Sequence, residues 1–147
     1  MSLAVDVSTD DVRVPLARDR VAELARGVLR AERVRDALLS IAFVSSAEIA
    51  RLNQRHLRRR RPTDVIAFGF EPAADRGPVI GDIYIAPEIA RDNARRHGAG
   101  VREELARLVV HGTLHVLGHD HPEEDRTASP MWTRQEQLVS RLYGGRT

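Results

Sequence analysis

The sequence contains no cysteine and no lysine. Without cysteine it has neither a disulfide framework nor a thiolate metal site. Any transition-metal site must therefore be assembled from His, Asp and Glu. No apolar run approaches the roughly 20 residues that a membrane span requires. The opening stretch "MSLAVDVSTDDV" shows no basic segment leading into an apolar one, so no secretory signal is expected. These absences fit a cytoplasmic protein with no membrane partner. Because lysine is missing, all 23 basic groups are arginine. The plain reading of that bias is a GC-rich genome that favours arginine codons. Arginine also grips phosphate with a planar fork and keeps its charge at any usable pH. With a formal net charge of only +2, the chain permits a nucleic-acid partner without demanding one.

At 147 residues, with 42% hydrophobic and 30% charged content, the chain reads as one globular domain, 1–147, able to bury a real core. No repeat or low-complexity linker divides it. Residues 3–8, "LAVDVS", alternate and are β-rich, predicting a first strand. Residues 15–32 carry apolar side chains at helical spacing. "ALLSIAFVS" is a continuous apolar run and predicts a buried strand. "SSAEIARLNQRHL" begins a helix with a capping box, Ser45 as the cap and Glu48 three residues on. "RRRRPTD" breaks that helix, and "DVIAFGF" and "VIGDIYIA" read as strands around a loop carrying Pro72, Gly77 and Pro78. Pro87 suits the first turn of "PEIARDNARRH". After "GAG" at 98–100, residues 101–117 form a helix with Glu103 and Glu104 in the first turn, where the helix dipole favours them. A last helix starts near Ser129-Pro130 and runs through "MWTRQEQLVSRLY". The expected fold is α+β: a small four-stranded mixed sheet packed with about five helices, with helix 101–117 central.

That helix changes character along its length. Val101, Leu105, Leu108, Val109, Gly112 and Val116 share one face, and up to Arg107 the other faces are charged. Beyond it, "LVVHGTLHVL" offers only Thr113 and two histidines as polar side chains, so the helix enters the interior and takes His111 and His115 with it. Four residues apart, the two rings project the same way. Burial favours neutral imidazole, whose lone pair is available to a metal. Gly118 suits the left-handed residue that ends a helix. The chain then turns back, and His121 can supply a third nitrogen from the far side. Three histidines with one open position is the pattern of a catalytic zinc site, whereas structural sites close with four protein ligands. The histidines and glycine match H-E-x-x-H-x-x-G-x-x-H position for position. Where zinc peptidases carry their glutamate base, however, this chain has Gly112. Either another group manages the protons or the chemistry is not peptide hydrolysis.

"HGTLHVLGHDH" resembles the H-G-x-L-H-x-x-G-x-D-H signature of the bacterial YbeY family of metal-dependent endoribonucleases. "RLNQRH", "PTDVIAFGFE" and "GDIYIAPEIARDNA" resemble the family's other blocks in order and separation. Together they cover about residues 45–140. The resemblance implies one zinc ion per chain, held by His111, His115 and His121. It also implies action on single-stranded RNA in maturing the 3′ end of small-subunit ribosomal RNA and in ribosome quality control. The partners expected are therefore RNA and the small ribosomal subunit, not DNA. Many relatives carry an arginine four residues after the asparagine of "LN"; here that position is Leu57, and the arginine run starts at Arg58. Either Arg58, the candidate to replace it, reaches the same place or the role is spread over the run. Relatives often have an aromatic at His119, which here reads first as an exposed turn residue, with a fourth ligand or a proton shuttle as alternatives.

The run Arg58–Arg61 falls in a loop and suits salt-dependent contact with phosphates, or simply a solvated surface. Arg91, Arg95 and Arg96 read as the exposed face of their helix. Asp120 is a candidate for orienting a ligand histidine or handling a proton, with a plain turn role equally open. Asp82 either faces the site or guards a sheet edge. Met131 forms a floor under the metal or ordinary packing, and Trp132 reads as core. His56 and His97 read as helix-end residues. The expected chemistry is zinc-assisted attack on a phosphodiester, with arginine from 58–61 stabilising charge and the general acid unassigned. Two rivals are a ribosome-assembly factor with a structural metal, which Leu57 favours, and a zinc peptidase, which Gly112 disfavours.

Overall fold

The computed structural model describes residues 2–57, 64–70, 77–120 and 129–144. Strand β1 (Leu3–Thr9) leads through helix α1 (Arg18–Ala31) to β2 (Ala37–Phe43), and α2 (Ser46–Leu57) follows. Strands β3 (Val65–Phe70) and β4 (Val79–Ile85) precede α3 (Pro87–His97), α4 (Val101–Val116) and α5 (Pro130–Val139). A π-helical turn, Ser140–Gly144, extends α5. The sheet order is β1-β2-β4-β3, with β1, β2 and β4 parallel and β3 antiparallel on the edge. The fold is thus α+β around a four-stranded mixed sheet, as expected. Among the described residues no helix is long and apolar enough to cross a membrane.

Most local expectations rest on capping chemistry that the structure displays. The Ser45 hydroxyl accepts the Glu48 amide at 3.1 Å, and Ser129 accepts that of Trp132 at 3.1 Å. Each satisfies one of the four amides a helix start leaves without a partner. Pro87 occupies the first turn of α3, where a missing N–H costs nothing. Gly118 has φ +96°, a left-handed value that L side chains rarely adopt, and it turns the chain just past α4. Two expectations shift. Helix α1 begins at Arg18 rather than 15, because Ala17 is extended and Leu16 before it is drawn into the main core. Strand β2 is not buried throughout but alternates, with Leu38 54% exposed. The reason is coverage. Helices α1 and α4 pack on the face carrying Leu39, Ile41, Phe43, Ile83 and Ile85. On the opposite face α2 covers only Ile66, Phe68 and Tyr84 with Ala42, leaving Leu38 and Phe70 open.

Helix α4 occupies the middle of this arrangement, touching α1, α3, α5, β3 and β4. From Leu108 to Leu114 every residue is buried, so the helix is enclosed on all sides there. The Thr113 hydroxyl answers this by donating to the Val109 carbonyl at 2.8 Å. Glycines bring the helix down onto the sheet. A Cβ at Gly112 would lie 2.7 Å from Ile83 Cγ2 and 3.4 Å from Val65 Cγ2. At Gly81 on β4 it would lie 2.5 Å from Val116 Cγ1, and at Gly69 on β3 it would meet the Val116 carbonyl oxygen at 2.8 Å. The glycine that stands where a zinc peptidase has its glutamate therefore faces the sheet, with no room for a side chain.

Replacing Gly112 with alanine should destabilise the fold. Overpacking against Ile83 costs roughly 1–3 kcal/mol, while alanine regains only about 1 kcal/mol of helix propensity. Urea unfolding should show a lower midpoint for Gly112→Ala; an unchanged or higher midpoint would contradict the close approach.

Candidate metal centre

His111 and His115 lie one turn apart on α4, their ring centroids 4.6 Å apart and the planes at 75°. The two do not share one environment. His111 is 8% exposed, whereas His115 is half-buried, because α4 leaves the enclosed core over its last turn. The expectation that both sink into the interior is corrected to one buried ring and one at the boundary. That placement suits a centre open on one side. Among the described residues no group of three metal-capable side chains converges. His121, the expected third ligand, lies outside the described residues, as does the arginine run Arg58–Arg61.

Behind His111 stands a polar chain that crosses to α5 and returns to α4. His111 Nδ1 lies 2.6 Å from Gln135 Oε1. Gln135 Nε2 donates to Glu136 Oε2 at 3.1 Å. Arg107 closes a fork on the same carboxylate, Nε to Oε2 at 2.8 Å and a terminal nitrogen to Oε1 at 3.0 Å. Arg107 also reaches Glu103 and Glu104, both at 3.4 Å. Burial pushes the Glu136 carboxyl up, but hydrogen bonds from Arg107 and Gln135, with the Arg107 charge, outweigh it and hold the group below its ordinary value. For Glu104 burial wins, and its carboxyl is pushed up despite Arg107. A cleft of about 460 Å³ opens beside this chain, lined in part by Asp64, Asn93, His97, Trp132 and His111. Asn93 anchors Asp64 there with a 3.2 Å hydrogen bond to Oδ2.

A second polar cluster holds the chain just beyond α4. His119 Nε2 lies 2.6 Å from Glu32 Oε1, and Arg134 donates to the other oxygen of Glu32 at 3.0 and 3.2 Å. His119 is therefore not an exposed accident of the turn; its side chain is 33% exposed and tied to α1 and α5 through Glu32. Asp120 is exposed on the turn after Gly118.

Other expectations divide by which face each residue takes. Asp82 lies on the sheet face away from α4, level with Ser40 and Phe68, on a strand paired on both sides. It neither faces the site nor guards an edge. Met131 packs with Val28, Val110, Leu114 and Leu138, as ordinary core. Trp132 is half-buried on the cleft wall rather than in the core, because α5 turns its Met131, Gln135 and Leu138 face inward. Arg95 and Arg96 are exposed as expected, with Arg91 half-buried, and His97 is the last residue of α3. Sequence reasoning missed Gln135, Glu136, Arg107, Glu32 and Arg134. For Gln135 a signal existed: it is the polar member of the buried i, i+4, i+7, i+8 stripe Met131, Gln135, Leu138, Val139.

The Arg107 cluster carries a pH signature. The pairing of Glu136 is fully present above its ordinary carboxyl value and is lost as pH falls through the lowered one. Without Arg107, the three glutamates repel at neutral pH and are relieved on acidification. The loss of thermal stability in Arg107→Met should be largest near pH 7 and shrink below about pH 4; a pH-independent loss would contradict the pairing.

A family model described as endoribonuclease YbeY matches residues 5–143. An endoribonuclease YbeY of Bacillus licheniformis is 38% identical, the alignment covering 98% of this chain and 97% of the relative. The endoribonuclease YbeY of Thermobifida fusca is 34% identical, covering 94% and 93%. A protein of Thermotoga maritima solved in solution superposes with a TM-score of 0.63 at 27% identity, covering 95% of this chain and 89% of that one. With its four-stranded sheet, its histidine helix and these relatives, the chain belongs to the endoribonuclease YbeY family.

Proposed function

We propose that this chain is a zinc-dependent endoribonuclease that hydrolyses phosphodiesters of single-stranded RNA. Its place is the maturation of the 3′ end of small-subunit ribosomal RNA and ribosome quality control, in the cytoplasm and with the small ribosomal subunit as partner. The observation that carries the reading is the pair His111 and His115, ring centroids 4.6 Å apart at the point where α4 emerges from the core, in a chain of this family.

The donor set suits a single zinc ion. Imidazole nitrogens are borderline ligands that zinc accepts readily, and no thiolate competes in a chain without cysteine. His111 already has Nδ1 engaged by Gln135, the arrangement in which the other ring nitrogen faces a metal. His111, His115 and His121 would hold the ion and leave one position for substrate. An ion held there supplies Lewis acidity toward a phosphoryl oxygen and toward the attacking oxygen.

The chain's own residues supply the rest. Arg58, at the head of the arginine run after α2, grips the phosphate with its guanidinium fork and offsets the charge that develops on it. The Asp120 carboxylate, next to His121 in sequence, accepts the proton of the nucleophile. Trp132 offers a half-buried ring on the cleft wall, the kind of surface on which an unstacked base packs. Peptide hydrolysis is disfavoured by the sheet-facing Gly112, where no glutamate base fits.

End-labelled single-stranded RNA incubated with the zinc-loaded protein should be cut internally, and the cleavage should vanish on chelation. His115→Ala should lose more than the roughly 10–100-fold expected from removing a mere support of a ligand. Equal cleavage by wild type and His115→Ala would overturn the metal reading. Absence of cleavage by a zinc-loaded wild type would instead favour an assembly factor with a structural metal.

A further inference from the structure

An imidazole can bind a metal through either nitrogen, and in the neutral ring the binding nitrogen is the one without a proton. We propose that Gln135 is a positioning residue that fixes His111 with its proton on Nδ1 and its lone pair on Nε2, and that Arg107 and Glu136 fix Gln135. The proposal rests on the reading of His111 as a metal ligand.

What each group is able to donate fixes the assignment. A carboxylate only accepts hydrogen bonds, so Glu136 Oε2, 3.1 Å from the Gln135 amide, must face its NH₂ end. Glu136 cannot turn away, because Arg107 holds both of its oxygens in a fork at 2.8 and 3.0 Å. The amide therefore has one orientation. Its carbonyl oxygen, which only accepts, faces His111 Nδ1 at 2.6 Å. Nδ1 must then carry the hydrogen, and in the neutral ring the lone pair falls to Nε2. Flipping the amide would set its oxygen against the Glu136 carboxylate and its NH₂ against the ring nitrogen.

Burial makes the assignment binding. Gln135 is 1% exposed and His111 8%, so water cannot readily satisfy either group if the pair is broken, and a buried unmet hydrogen bond is costly. The same burial explains why an apolar side chain does not occupy position 135, although its neighbours on that stripe, Met131, Leu138 and Val139, are apolar. The four groups come from only two helices, Arg107 and His111 from α4 and Gln135 and Glu136 from α5. The docking of α5 on α4 is thus what sets the tautomer.

Two measurements on the full chain test this. In metal-free, ¹⁵N-histidine-labelled protein, long-range ¹H–¹⁵N correlation should show His111 as the Nδ1–H tautomer; a dominant Nε2–H form would overturn the proposal. Zinc titration against a competing chelator should then show Gln135→Leu binding about 10–100-fold more weakly than wild type. Gln135→Glu combined with Glu136→Gln, which keeps an acceptor for Nδ1–H and sets an amide donor where the carboxylate stood, should recover most of that loss. A folded Gln135→Leu with wild-type zinc affinity would also overturn the proposal. If that variant does not fold, the wild-type tautomer decides alone. Failure of the wild type to bind zinc would count against the metal reading only, because the tautomer is measured without metal.

Discussion

The close seating of α4 on β3 and β4 is the contact on which the rest of the structure depends. Three positions along it, Gly69, Gly81 and Gly112, have no space for a Cβ. Removing side chains there lets the helix backbone approach the sheet, and the neighbours Ile83, Val65 and Val116 fill the remaining volume. A helix seated so deeply is surrounded by α1, α3 and α5 as well. Its middle is therefore buried on every side, and any polar group there must find a partner inside the protein. Thr113 finds one in its own helix. His111 finds one in Gln135 of α5.

That need couples packing to chemistry. Helix α5 contributes Met131 and Leu138 to a small core with Val110 and Leu114, and the same docking brings Gln135 to His111. Its neighbour Arg134 reaches Glu32 at the end of α1, and Glu32 in turn holds His119 beyond the end of α4. One helix thus braces both the last enclosed turn of α4 and the turn that leads toward His121. Apolar burial sets the distance between the helices, and the polar pairs set which atoms face each other. At interior separations a hydrogen bond is strong and a missing one expensive, so these pairs define geometry more than they add net stability.

The sheet is asymmetric in a way that matters for where function sits. Its covered face carries the β-branched and Leu positions of β1, β2 and β4 under α1 and α4. The other face is shielded by α2 only near β3 and β4, and Leu38 and Phe70 stay open. Every described residue of the candidate centre lies on the α4 side. Asp82, which a sequence reading admits to the site, is excluded by one register position: successive side chains on β4 alternate faces, and Asp82 falls on the wrong one.

Much was legible from the sequence because it depends on local rules. The 3.6-residue period, the capping serines, Pro87 and Gly118 mark helix limits through interactions within a few residues of one another. The spacing of His111 and His115 places both rings on one side of a helix without reference to anything else. The alternation in β2 was hidden because an apolar run looks the same whether one face or both are covered, and only the tertiary arrangement says how far α2 reaches. The orientation of Gly112 toward Ile83, the bracing of His119 by Glu32 and the amide of Gln135 behind His111 join residues 24 to 87 positions apart. No period or local propensity encodes such pairs. They are decided when apolar surfaces dock, because docking brings distant polar groups within hydrogen-bonding distance and burial obliges them to match.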